Sequence, residues 1–308
     1  MATTKKRKKR PTKSRTARPR ASKRKRSTKR DKKIRIIEII AAIIFIAWVF
    51  WGNVTMSVTH YHVTNQDLPA EFDHLKIVLV SDLHNAESGD ENSTFIQTIE
   101  KEKPDYIAIT GDLVDASRTD IDKAIACVKQ LSKIARCYYV PGNHEAWINE
   151  QYQTLEEQLK AAGVIVLKDN YVTLGKNGSY LQIAGLRDPA FTEPENELQE
   201  EVLRTNLKKM ALPDAFCILL SHRPEAFQVY ASEGIDLVLS GHAHGGQFRI
   251  PFLGGIYAPN QGLFPKYDGG MYTEQDTTMI VSRGIGNSVI PVRVNNRPEL
   301  VVIELSRD

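Results

Sequence analysis

Asp236-Leu237-Val238-Leu239-Ser240-Gly241-His242-Ala243-His244-Gly245-Gly246 joins a short apolar run to two histidines one residue apart. In extended backbone, residues i and i+2 point to the same side, so both imidazoles can reach one small space at the end of a strand. The flanking glycines permit a sharp turn and close approach of the main chain. Imidazole is the commonest metal-binding side chain near neutral pH. A single His-x-His is also an ordinary surface pair, so its reading depends on whether other strands end in the same kind of residue.

Four other runs do. Leu75-Lys76-Ile77-Val78-Leu79-Val80 leads into Ser81-Asp82-Leu83-His84, and Tyr106-Ile107-Ala108-Ile109 into Thr110-Gly111-Asp112. Cys137-Tyr138-Tyr139-Val140 leads into Pro141-Gly142-Asn143-His144-Glu145, and residues 216–220 into Ser221-His222-Arg223-Pro224. Short apolar runs of this kind are typical of strands buried on both faces. Helical periodicity separates them at 94–102, 121–134 and 155–162, the last stopped by Gly163, and a charged helix is predicted over 195–209. Such alternation implies a parallel sheet covered by helices. From Val164 onward the strands crowd together, at 164–167, 171–174, 181–184, 279–281 and 300–305. Two sheets packed face to face with helices outside accommodate them. The carboxyl ends of strands in open α/β sheets face the binding crevice.

Taken singly, Asp82 and Asp112 could cap helices or close turns, and Asn143 after Gly142 could be a turn residue. His84 or His222 alone reads as a satisfied surface or core histidine. Together they resist that reading, because five of the eight histidines stand at these strand ends. His60, His62 and His74, before or at the start of the first of these strands, receive no role. Imidazoles, two carboxylates and an amide oxygen, with no thiolate, are too many for one ordinary ion. They suit two ions bridged by a carboxylate, with manganese, iron or zinc favoured by the mixed N and O donors. Two such ions about 4 Å apart make hydroxide at neutral pH and clamp the oxygens of an in-line displacement at phosphorus.

The amino-terminal part has a different composition. Residues 1–35 hold 19 Lys and Arg against one acid, Asp31, whereas the rest of the chain holds 22 against 36. A tail over residues 1–33 with nothing apolar to bury is expected to be disordered. Residues 34–56 follow, uncharged from Ile39 to Gly52 and carrying Trp48 and Trp51 near their far end. This reads as one transmembrane signal anchor, with a buried core helix or a cleaved signal peptide as the alternatives. No Ala-x-Ala-like cleavage site follows it. The charge asymmetry predicts a single-pass protein of the cell membrane, its amino terminus cytoplasmic and its main domain outside. The tail then serves as topogenic charge and anionic-lipid contact, or alternatively binds nucleic acid. Residues 57–72 read as a linker and 73–308 as the main domain. Cys127, Cys137 and Cys217 have no metal or redox spacing.

Asp82-x-His84, Gly111-Asp112, Gly142-Asn143-His144-Glu145, His222 and Gly241-His242-x-His244 together resemble the calcineurin-like metallophosphoesterases, over about residues 73–308. Gly245-Gly246-Gln247-Phe248-Arg249-Ile250-Pro251, Ser282-Arg283-Gly284-Ile285-Gly286 and Arg297-Pro298-Glu299 resemble the membrane-anchored YkuE/YaeI-type branch. Bacterial UDP-diacylglucosamine pyrophosphohydrolases share that look. The resemblance implies an α/β fold, a four-layer αββα sandwich of two mixed sheets flanked by helices. It implies that Asp82, His84 and His244 hold one divalent ion, that Asn143, His222 and His242 hold a second, and that Asp112 bridges them. His144 would contact the scissile phosphate and act as general acid, with Glu145 a possible partner of a ligand. The function expected is hydrolysis of a phosphoester, as a phosphodiesterase. The alternative is a pyrophosphohydrolase acting on a lipid-linked precursor of the cell envelope. Arg187 would bind phosphate or form a surface ion pair, and residues 248–270 would form a shelf for an apolar substrate or a packed irregular loop.

Overall fold

The structure is a computed structural model that describes residues 29–86, 93–192, 199–287 and 290–307. The chain divides into two compact units, residues 1–45 and 46–308. Most of the predicted disordered tail, residues 1–28, lies outside the described residues, while residues 29–33 are already helical. They open α1 (Lys29–Val54), none of whose side chains is buried. Its mean hydropathy reaches 2.3 over an 18-residue window, so α1 is long and apolar enough to cross a membrane.

The second unit carries two six-stranded mixed sheets. In chain order its elements begin with β1 (Ser57–Thr64), β2 (Lys76–Val80), α2 (Ser93–Glu102), β3 (Tyr106–Ile109), α3 (Ile121–Ile134) and β4 (Arg136–Tyr139). Next come α4 (Asn143–Trp147), α5 (Gln151–Ala161), β5 (Ile165–Val166), β6 (Asn170–Lys176), β7 (Ser179–Gly185), α6 (Gln199–Met210) and β8 (Cys217–Leu220). Then follow α7 (Phe227–Ser232), β9 (Leu237–Ser240) and four two-residue strands, β10 (Arg249–Ile250), β11 (Gly254–Gly255), β12 (Tyr257–Ala258) and β13 (Gly262–Leu263). The chain closes with β14 (Gly270–Glu274), β15 (Thr277–Val281) and β16 (Glu299–Ser306). One sheet has the order β1-β16-β2-β3-β4-β5 and the other β14-β15-β9-β8-β7-β6. Strands β2 to β5 pair in parallel, as do β7, β8, β9 and β15.

Strand periodicity sorts the core into layers. On β2, Ile77 and Leu79 face the other sheet and meet Ile218, Leu220, Leu237 and Leu239, while Val78 and Val80 face the helices. Those outer positions pack on Phe95 and Ile99 of α2, Val128 and Leu131 of α3, and Leu155 and Leu159 of α5. On the far side, Leu219 and Val238 pack with Leu203 and Leu207 of α6 and with Phe227 and Tyr230 of α7. The result is helix, sheet, sheet, helix, the architecture expected. Cys127, Cys137 and Cys217 are buried free thiols. The charged helix predicted from 195 is observed from Gln199, its first residues lying outside the described ones.

The supposed linker needs correction. Residues 57–64 form β1, an edge strand running parallel to β16 from Ser57 opposite Glu299 to Thr64 opposite Ser306. Exposure alternates along it, but its better-covered positions are Ser57, Thr59, Tyr61 and Val63. Hydroxyls on the covered face hide the alternation from a hydropathy reading.

Candidate metal centre

The donor residues leave their strands through turns that few side chains adopt. Asp82 (φ 52°), His84 (45°), Asp112 (52°), His242 (67°) and His244 (48°) all have left-handed backbone. Outside glycine this region is uncommon, and it concentrates at functional sites. The turns brace one another, with Asp82 N–H donating to Gly111 O at 3.1 Å and His84 N–H to Asp112 O at 2.9 Å. A Cβ at Gly241 would stand 1.8 Å from Ser81 Oγ and 2.4 Å from Asp82 Oδ2. Only glycine lets the turn after β9 close on the turn after β2.

The side chains gather into two groups, Asp82, His84, Asp112 and His244 in one, and Asp112, His222 and His242 in the other. Within each group the possible ligand atoms lie within 4.8 Å of one another, and Asp112 belongs to both. In the first, His84 Nε2 is 3.1 Å from His244 Nε2 and 3.5 Å from Asp112 Oδ2. In the second, His222 Nε2 is 3.1 Å from both Asn143 Oδ1 and His242 Nδ1, and 3.3 Å from Asp112 Oδ2. All seven residues singled out as metal ligands therefore meet in one place, and all are buried.

Their protonation suits a cation. His222 Nδ1 lies 2.7 Å from Thr110 O and donates to it, which turns Nε2 inward; burial lowers this ring, but Asp112 outweighs burial and raises it to about 10. His242 Nε2 donates to Asn260 Oδ1 at 2.9 Å, leaving Nδ1 facing inward. Burial lowers His84 to about 3 and holds His242 and His244 well below the usual histidine range, so these rings are neutral. Burial also lifts Asp82 to about 6. At Asp112 burial acts upward, but His222 and His144 hold its carboxyl well below the ordinary range. Carboxylate, amide and imidazole donors crowded this closely are costly to bury and fit divalent cations with mixed N and O donors.

His144 stands beside this group. Its Nδ1 accepts from Ala116 N–H at 3.0 Å, which leaves Nε2–H as the ring's donor. It lines a cavity of about 300 Å³ with Asp112, Asn143, His242 and His244. Glu145 proves to be a brace for the main chain. Its Oε2 accepts from Gly142 N–H at 2.7 Å and Asp112 N–H at 2.8 Å, and its Oε1 from Leu113 N–H at 2.8 Å and Val114 N–H at 3.3 Å. Burial and Asp112 push its pKa up; the four backbone donors oppose them by favouring the carboxylate.

Other contributors are less visible in the sequence. Arg223 is buried in a two-point ion pair with Asp188, at 2.6 Å from Nε and 2.9 Å from Nη2. Its Nη1 donates to Asn260 Oδ1 at 2.6 Å, so Asn260 Oδ1 accepts one hydrogen bond from Arg223 and another from His242. Asp188 follows β7 by three residues, a sixth strand end with an acid that the pattern contained. Arg187 takes the ion-pair alternative, with Nε 3.5 Å from Asp169 Oδ2. Trp147, Tyr257, Pro259 and Ile290 form the apolar side of the cavity. Within residues 248–270, Ala258 and Tyr267 pack in the core while Phe252, Leu253, Leu263 and Phe264 are exposed. The segment is thus packed loop at its base and apolar surface at its rim.

A family profile described as calcineurin-like phosphoesterase matches residues 75–246. The chain is 33% identical over 255 residues to the uncharacterized metallophosphoesterase YkuE of Bacillus subtilis (strain 168), covering 80% of this chain and 84% of that one. It is 29% identical to phosphodiesterase YaeI of Escherichia coli (strain K12), covering 67% and 72%. It is 28% identical to a transmembrane protein with metallophosphoesterase domain of Bos taurus, covering 81% of this chain and 57% of that one. With the profile spanning more than half of the chain and the strand-end donors assembled as described, the chain belongs to the calcineurin-like phosphoesterases, hydrolases of phosphoric esters that use two divalent metal ions.

Proposed function

We propose that this protein is a membrane-anchored phosphodiesterase whose catalytic domain faces outward. Asp82, His84 and His244 hold one ion, Asn143, His222 and His242 the other, and Asp112 joins them. Bound there, two divalent ions supply positive charge to the phosphoryl oxygens and an activated water for in-line displacement. The chain's own residues do the rest. Thr110 O and Asn260 Oδ1 fix the tautomers of His222 and His242, so that the right nitrogen of each ring faces the ions. His144 directs its Nε2–H at the leaving oxygen as a hydrogen-bond donor, stabilising the charge that develops there, while Ala116 N–H holds the ring still.

The observation that carries this reading is the membership of Asp112 in both donor groups. The name of the Escherichia coli relative supports diester substrates, and the long apolar α1 supports the anchor. Metal analysis of the purified protein, with rates measured across aryl phosphomonoesters, phosphodiesters and nucleotide-sugars, tests it. Two divalent ions per chain and a preference for diesters are expected. Fewer than two ions at saturation, or a preference for monoesters, refutes it.

One observation favours the second reading, a pyrophosphohydrolase working on a lipid-linked precursor. Trp147, Tyr257 and Ile290 are exposed large apolar side chains on the wall of the same cavity. Hydrolysis of an acylated nucleotide-sugar without hydrolysis of simple diesters supports that assignment.

A further inference from the structure

A second cavity, of about 250 Å³, lies at the carboxyl end of α1 and shares no lining residue with the one at the metal centre. Trp48, Val49 and Trp51 form one wall, and Arg283, Arg293 and Arg297 approach from the connection between β15 and β16. We propose that this cavity binds a phosphate-bearing anion, the headgroup of an anionic phospholipid.

The charges there do not cancel. Arg283 is matched, its Nη2 standing 2.8 Å from Glu299 Oε1. Arg293 is buried, at 1% exposure, yet its acceptors among the described residues carry no negative charge: Asn287 Oδ1, Arg283 O, Gly286 O and, at 3.4 Å, His244 Nδ1. Arg297 gives Nε to Thr55 O and Nη2 to Met56 O, and its guanidinium stacks 4.6 Å from the Trp51 ring. In direct contact, three guanidinium groups thus have one carboxylate between them, with Asp82 attracting Arg293 from farther off. Burying unmatched cations is costly, and an anion between them offsets that cost. Each guanidinium has five N–H donors in a planar fork that fits two phosphate oxygens, and Arg297 spends two of its five on these carbonyls.

The apolar wall decides what carries the phosphate. Trp48 and Trp51 belong to the last turns of α1, and tryptophan at the end of a long apolar helix marks the headgroup level of a bilayer. Asn53, two residues on, fixes that turn to the domain, accepting from Arg293 N–H and donating to Arg293 O, each at 2.8 Å. A free inorganic anion has no use for two indoles. A headgroup whose glycerol and acyl root continue past them does. The inference rests on the membrane part of the function proposed above and is independent of its hydrolytic part.

Native mass spectrometry of the full chain in neutral detergent tests it, with phosphatidylglycerol and phosphatidylcholine at equal concentration and with inorganic phosphate as competitor. One intact phosphatidylglycerol retained in about tenfold preference over phosphatidylcholine is expected. Arg297→Gln should erase that preference while turnover of a soluble aryl diester stays unchanged, which shows that the domain is folded. Should Arg297→Gln fail to fold, Trp48→Ala, on a half-exposed side chain, should still lower lipid retention. Displacement of the lipid by inorganic phosphate shows that the phosphate alone is recognised; resistance to it shows that the lipid root is needed too. Either result upholds an anion site. Equal retention of both lipids, or retention that neither substitution changes, overturns the proposal. Vesicle sedimentation separates the failures: a chain that pellets with vesicles but shows no headgroup preference loses the pocket alone, and a chain left in the supernatant loses the anchor.

Discussion

The two sheets contribute to the metal centre in different currencies. The strand ends of the first, after β2, β3 and β4, deliver both carboxylates and the amide, Asp82, Asp112 and Asn143, with His84. Those of the second, after β8 and β9, deliver only imidazoles, His222, His242 and His244. Support differs in the same way. The first half is held by main-chain contacts, above all the four N–H groups received by Glu145. The second is held mostly by side chains, with Asn260 and Arg223 against His242 and Arg293 Nη2 3.4 Å from His244 Nδ1, while His222 alone leans on the main-chain oxygen of Thr110. Negative charge comes from one sheet and most of the imidazoles from the other. Each donor group draws on both, so the site exists only when the sheets are packed.

Asp112 is where the halves meet, and changing it should have the largest effect. Asp112→Ala removes the oxygen donor common to both groups and leaves His84 and His222 without their carboxylate neighbour. Bound metal should fall well below two equivalents. Loss of several kcal/mol of charge stabilisation lowers turnover on the order of 10³-fold or more. Elemental analysis beside rate measurement checks this, and a variant that still loads two ions would break the picture of a shared carboxylate.

His144 belongs to the first half by sequence but faces the substrate cavity. His144→Ala should leave metal content unchanged and lower kcat by about 10²- to 10³-fold, the usual range for one preorganised hydrogen-bond donor. The loss should be steeper for alkyl than for p-nitrophenyl leaving groups, because the poorer leaving oxygen concentrates more negative charge for the Nε2–H to stabilise. Equal losses on the two substrates would assign His144 to binding alone.

The contrast between the halves also explains what could be read in the chain. Asp82, His84, Asp112, Asn143, His222, His242 and His244 each directly follow an apolar run, so strand periodicity and local residue type suffice to place them. Their supports are different. Asn260 sits in an irregular segment among two-residue strands, and Arg293 follows the undescribed residues 288–289 in a loop without periodicity. Nothing local says that either side chain turns toward a histidine. Arg223 was visible beside His222, but its partner Asp188 comes from a different strand end, a pairing that only the packed sheet creates. Strand β1 was lost for another reason, since its covered face carries Ser57 and Thr59 where hydropathy expects aliphatic residues.

Glu145→Gln probes support in the first half. The amide cannot accept at both ends, so at least one of Gly142, Asp112, Leu113 and Val114 loses its acceptor in a buried place. Hydrogen bonds to a charged group contribute about 1.5–3 kcal/mol each, and a loss of about 3 kcal/mol in stability is expected. Thermal unfolding of the metal-loaded protein should show it as a lower Tm, with the metal stoichiometry at saturation intact. An unchanged Tm would mean that these turns hold without Glu145.

Asn260→Ala probes the second half and should produce the smallest change. The substitution leaves His242 in place but takes away the oxygen that receives its Nε2 proton at 2.9 Å and that of Arg223 Nη1 at 2.6 Å. Without that acceptor, Arg223 Nη1 and the His242 Nε2–H face each other at 3.0 Å as two donors. The ring then gains by moving its proton to Nδ1, the nitrogen that stands 3.1 Å from His222 Nε2. A protonated Nδ1 has no lone pair for an ion, so metal affinity should fall about 10- to 100-fold, the usual cost of losing a residue that orients a ligand. Because the ligands themselves remain, excess divalent metal should restore kcat. Titration of activity against metal concentration separates the cases: a rightward shift with the same plateau supports ring orientation by a side chain, whereas a lower plateau would place Asn260 in contact with the substrate.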